Sequence, residues 1–108
     1  MSDSEDPLAL IHAIENRNTL DEIRELIRSG IDVNILGPSW SDDTALIQAV
    51  KLGSKQGVEI INLLLNSGAL VDMSNKDGFT PLMFPVMHVG KHTMEIINCL
   101  KKKFPKIK

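Results

Sequence analysis

The chain has 108 residues, 43% hydrophobic and 24% charged, the size and composition of one globular domain that buries roughly 60–70% of its unfolded surface. Its longest apolar run is far too short to span a bilayer, its acidic start (Ser2 to Asp6) does not read as a secretory leader, and its single cysteine, Cys99, can form no internal disulfide, so an intracellular location, cytoplasmic or nuclear, is expected. The net charge of −2 conceals a gradient: residues 1–43 carry −7, residues 44–100 are neutral, and residues 101–108 carry +5.

In chain order, a first helix is expected to open with Asp6 as N-cap and Pro7 at the first helical position, where a missing N–H costs nothing. Leu10, Ile11, Ala13 and Ile14 supply its apolar face. Thr19-Leu20-Asp21-Glu22 reads as a capping box that starts a second helix, with Ile23, Leu26 and Ile27 at helical spacing and Gly30 as its left-handed stop. Residues 31–43 form a turn or hairpin containing Gly37-Pro38, and a third helix follows Thr44. Val58, Ile61, Leu64 and Leu65 make the stripe of a well-buried fourth helix, ended by Asn66-Ser67-Gly68. Asn75-Lys76-Asp77-Gly78 is a second turn. Pro85 falls inside the helix after it. Proline in a helix interior removes a backbone bond and costs about 3 kcal/mol, so that helix is expected to be kinked or to start late.

The order conceals a repeat. Thr44-Ala45-Leu46-Ile47-Gln48-Ala49-Val50 lines up with Thr80-Pro81-Leu82-Met83-Phe84-Pro85-Val86, and Val58 to Leu64 lines up with Met94 to Leu100, both at a separation of 36 residues. A weaker copy at Leu10 to Ile14 lies another 36 residues upstream of Leu46 to Val50. Such a period implies stacked units, each burying its apolar face only against its neighbours. Asp77-Gly78-Phe79-Thr80-Pro81-Leu82-Met83 resembles the ankyrin signature D-x-x-G-x-T-P-L-H, and Gly30 to Asn34 and Gly68 to Asp72 resemble its G-A-D-V-N turn. The histidine of the signature is absent: Ile47 and Met83 occupy its position.

The resemblance implies a mainly α solenoid of about three units, each a β-hairpin or turn plus a helix–loop–helix. The expected domain spans residues 1–100, with repeats at about 7–36, 44–74 and 80–103 and a basic tail at 101–108. A period of 36 residues exceeds the family's roughly 33, and the extra residues are expected between the helices, at Ser54-Lys55-Gln56 and around Lys91-His92-Thr93, with two more near Gly37 to Trp40. Glu25 and Cys99 stand where the middle repeat has Leu63, and Lys101 where it has Leu65. These replacements suggest end repeats with a wet outer face, and hence a whole small protein or domain.

Members of this family typically bind partners along finger tips and the exposed face of the first helices. Carried onto this chain, those positions are Trp40, Ser41, Asp43, Lys76, Asp77 and Phe79 in the fingers. On the helices they are Glu15, Asn16, Lys51, Leu52, Met87 and His88. Trp40 also stands out by itself: it lies in a polar, turn-rich segment with no apolar periodicity to bury it, and exposed tryptophans are typical hot spots. It could equally fold back over the first finger as a local lid.

No phosphate-binding loop, nucleophile elbow or zinc-protease motif is present, and no cofactor is expected. His88, His92 and Cys99 fall short of the four ligands that zinc takes, so they read as loop histidines and a packed thiol. The five lysines of the tail offer an alternative, nuclear or nucleic-acid association. They could contact only a few phosphates and lack an aromatic platform, so nucleic acid is not the expected partner. The sequence therefore reads as a protein without catalytic activity, monomeric when free, that recognises another protein and could serve as an inhibitor or decoy.

Overall fold

The computed structural model describes residues 7–37, 42–87 and 89–103. These hold six helices: α1 (Ala9–Glu15), α2 (Leu20–Arg28), α3 (Ala45–Leu52), α4 (Lys55–Asn66), α5 (Met83–Met87) and α6 (Thr93–Lys101). The helices pair as α1 with α2, α3 with α4 and α5 with α6. The pairs stack through two rows, α1–α3–α5 and α2–α4–α6. The helical stack implied by the repeat is therefore the fold. Among the described residues there is no strand; the first finger carries one isolated antiparallel bridge, Leu36 to Thr44.

The core lies where the rows meet. Leu10, Ile11, Ile14, Ile23, Ile47, Ile60, Ile61, Leu64 and Leu100 have no exposed surface. The α4 stripe behaves as its spacing requires, with Val58 at 9%, Leu65 at 6% and the two residues between them in the stripe fully buried. In α2, Thr19 Oγ1 accepts from Glu22 N–H at 3.2 Å and Thr19 N–H donates to Glu22 Oε1 at 3.0 Å, so the capping box closes. At α1 the start differs from expectation. The helix begins at Ala9 after a Pro7-Leu8 turn, with Leu8 at the cap position, and Asp6 lies outside the described residues.

The extra residues of the middle repeat are not loop. Ser54 Oγ accepts from Gly57 N–H at 3.1 Å, so Ser54 caps α4 and Lys55 and Gln56 form its first turn. The insertion lengthens α4 to 12 residues, against 9 in α2. Gly57 permits this early start. A Cβ there would sit 2.9 Å from the Ala49 carbonyl oxygen, so only glycine lets the first turn of α4 lie against α3. In repeat three the counterpart of Ser54 is Gly90, which has no capping hydroxyl, and the counterpart of Gly57 is Thr93, which has a side chain. The second helix accordingly starts later, at Thr93, so Lys91 and His92 remain in the connection while Thr93 opens the helix.

Pro85 is accommodated by the same kind of delay. α5 starts at Met83, two places later than α3 starts in the equivalent frame, so Pro85 is its third residue. The first four N–H groups of a helix have no intrahelical partner, so the missing donor costs nothing there. The expectation of a late-starting helix holds, and Pro85 is buried.

The wet outer face expected of repeat three is not what forms. Lys101 is exposed, but Met83, Val86 and Met94 on the same repeat are 44%, 64% and 66% exposed. Replacing Leu64 with alanine at the centre of the stack is expected to destabilise the fold by about 2–5 kcal/mol. Chemical denaturation followed by circular dichroism measures this, and an unmoved midpoint would place Leu64 outside the core.

Candidate partner-binding surface

The fingers are held by one buried carboxylate. Asp43 is 1% exposed. Its Oδ1 accepts from Asn75 Nδ2 at 2.8 Å, and its Oδ2 accepts from Lys51 Nζ at 2.8 Å and Gln48 Nε2 at 3.3 Å. The Asp43 carbonyl accepts from Gly37 N–H at 3.0 Å, which closes the first finger. That approach requires glycine, because a Cβ at residue 37 would meet the same carbonyl oxygen at 2.9 Å and Ile11 Cδ1 at 3.2 Å. Asp43 is thus turned inward. It was expected among the partner contacts, but its carboxylate organises the surface instead of facing outward from it.

Asn75 carries the order on to the second finger. Its Oδ1 accepts from the N–H groups of Asp77 and Phe79, both at 3.0 Å, and its own N–H donates to the Phe79 carbonyl at 2.9 Å. An asparagine side chain that takes two backbone donors fixes a tight turn without help from a strand partner. Lys76 and Asp77 are left exposed at the tip. Phe79 is 36% exposed, and its ring packs on Phe84 with centroids 5.7 Å apart and planes tilted by 53°. Lys51 Nζ lies 5.5 Å from the Phe84 centroid while it bonds Asp43. Lys51, Phe84 and Phe79 therefore form a continuous run from α3 across α5 to the second finger, with a cation held against an aromatic face.

The remaining expected positions divide. Met87 is 49% exposed at the end of α5, in the place that Lys51 holds on α3. Leu52 is half-buried and packs on the core, so it offers little outward surface. Glu15 and Asn16 are exposed at the end of α1. Trp40, Ser41 and His88 lie outside the described residues. Sequence reasoning missed Phe84 and Asn75. The 36-residue frame put Phe84 opposite Gln48, and Asn75 was read only as a turn former.

Beside this run is a cavity of about 280 Å³ lined by Val50, Lys51, Phe84, Pro85, His92 and Ile96, among others. It is slightly smaller than most ligand pockets, roughly 300–1,000 Å³. At its edge His92 Nδ1 and Glu95 Oε1 are 2.7 Å apart, and this hydrogen bond holds the Glu95 carboxyl below its ordinary value. Among the described residues no three metal-ligating side chains cluster, and Cys99 is a half-buried packing residue.

A model of the ankyrin-repeat family (three copies) matches residues 10–107. The chain is also similar to "Putative ankyrin repeat protein FPV031" of Fowlpox virus (strain NVSL), at 31% identity over 90 residues, 82% of this chain and 26% of that protein. It is 30% identical over 84 residues to "Putative ankyrin repeat protein R841" of Acanthamoeba polyphaga mimivirus, covering 77% of this chain and 14% of that protein. The chain thus spans about a quarter or less of the length of these relatives.

Asp43→Ala would strand the amide of Asn75, itself only 6% exposed, and release Lys51. A hydrogen bond to a charged group contributes about 1.5–3 kcal/mol, so a stability loss of that order is expected in a thermal melt. Amide exchange at Asp77 and Phe79 should quicken with it, and unchanged exchange there would mean that the fingers are ordered independently of Asp43.

Proposed function

The chain belongs to the ankyrin-repeat family, and we propose that it binds another protein, without catalysis, through its finger tips and the exposed face of its first helices. Ankyrin repeats are generally protein–protein interaction modules. The observation that carries the finer reading is the run Lys51–Phe84–Phe79 beside a second finger already fixed by Asn75. A surface ordered before binding loses little conformational entropy on contact. Phe79 and Trp40 are the apolar anchors of this reading, with Lys76, Asp77, Lys51 and Met87 around them.

The binding unit is assigned to the three repeats, about 7–36, 44–74 and 80–103, acting inside the cell. Its mode of action is occupancy of a partner's surface, as an inhibitor or decoy. The basic tail at 101–108 is given a secondary role, speeding encounter through long-range attraction and losing influence as salt rises.

The reading is tested with a partner recovered by cross-linking to wild-type protein. Phe79→Ala or Trp40→Ala is expected to weaken its binding about tenfold or more while circular dichroism stays unchanged, as truncation of an interface anchor does. Deleting residues 101–108 should change affinity only modestly at physiological salt. If the tail deletion abolishes binding while both aromatic variants bind normally, the finger surface is not the site.

A further inference from the structure

Repeat three leaves open a face that the middle repeat keeps closed. At the 36-residue spacing, Met83, Val86, Met94 and Ile97 are the counterparts of Ile47, Val50, Val58 and Ile61. In the middle repeat those four are 0%, 4%, 9% and 0% exposed. In repeat three, Met83, Val86 and Met94 rise to 44%, 64% and 66%, and Ile97 is half-buried. Pro81, Pro85, Ile96 and Leu100 of the same repeat stay buried, because the preceding repeat covers them. Positions that open are therefore those that face the following neighbour in the stack. They continue the α3–α5 and α4–α6 interface geometry by one step. Next to them is an open groove of about 380 Å³ lined by Thr80, Leu82, Met83, Val86 and Met87.

The charge at the end of α6 is one-sided. Lys101 takes the place of Leu65 in the stripe, and Lys102 and Lys103 follow it, all three exposed. The one acid of α6, Glu95, is tied to His92 at 2.7 Å. Methionine side chains suit a surface that must fit a partner of variable shape, since they are unbranched and polarizable. A second copy of the chain would bring its own lysines to the same place, which opposes self-association.

We propose that the open end of repeat three docks an amphipathic helix of another protein, apolar along one stripe and acidic beside it. The apolar stripe takes the position that a following repeat's helices would occupy, over Met83, Val86 and Met94. The acidic flank meets Lys101 to Lys103. The groove shares Met87 with the finger surface, whereas Met83, Val86 and Met94 are not among the finger contacts.

The test uses the full chain with its methionine methyls labelled for NMR. Three synthetic helical peptides are compared: a leucine stripe flanked by glutamates, the same stripe flanked by lysines, and a peptide of the first one's composition with its stripe scrambled. The glutamate-flanked stripe is expected to bind and to shift the Met83 and Met94 methyls. The other two should bind about tenfold or more weakly, as expected when an interface loses its anchors or gains like charge. Val86→Lys, at an exposed position, should abolish the shifts without changing circular dichroism, and Phe79→Ala should leave them intact. Equal binding of the glutamate and lysine peptides, no binding of any, or shifts lost in Phe79→Ala would overturn the proposal. So would sedimentation showing that wild type dimerises through this face, or binding that occurs only after residues 104–108 are removed, since a second copy or the chain's own tail would then be the occupant.

Discussion

A carboxylate with 1% of its surface exposed sits where two fingers and a first helix meet, and the exposed architecture is arranged around it. Burying a charge costs several kcal/mol unless partners replace the lost water. Here the replacement comes from Asn75 in the second finger and from Gln48 and Lys51 along α3. Each donor is therefore bound to its place by the same demand. Removing the need for any one of them would loosen the others. In this way a single residue before α3 couples the position of a turn 32 residues later to the surface of a helix.

The second dependence is repetitive. A unit in a stack of this kind cannot close its own core, so each depends on its neighbour for burial. Hydrogen bonds between repeats reinforce that dependence. Asn34 donates to the Gly68 carbonyl at 3.2 Å and accepts from Leu70 N–H at 2.8 Å, and Gln56 donates to the Asn18 carbonyl at 2.9 Å. These bonds bridge consecutive turns at the ends of the second helices, and join the α1–α2 connection to the first turn of α4. They set the register of stacking, while the aliphatic rows supply most of its free energy.

Much of this was legible in the sequence because it is local or periodic. The capping box at Thr19 and Glu22 needs only a four-residue pattern, and the α4 stripe needs only helical spacing. The late start of α5 follows from Pro85 alone. What stayed hidden depends on three-dimensional partners. Asp43 has the composition of an exposed turn residue, and nothing local reveals that Asn75 will reach it. Ser54 looked like loop because the serine cap becomes meaningful only when Gly57 is seen to let α4 press against α3. The end face differs from expectation for a related reason: Lys101 is visible in the sequence as a charge, but the exposure of Met83, Val86 and Met94 on the same repeat depends on the stacked geometry.

The brevity of α5 gives the molecule an uneven internal stability. Five residues of helix, one neighbour in the first-helix row and a mostly exposed outer side leave little to oppose opening of that segment. Its amides therefore belong to the class that exchanges through local fluctuation, whereas those of α4, packed between α2 and α6, are released only when the whole stack comes apart. Any ligand seated on the last pair closes this soft end by mass action. Occupancy at the terminus would then register as slowed exchange along α5 and stiffen the Phe84 platform on which the second finger rests.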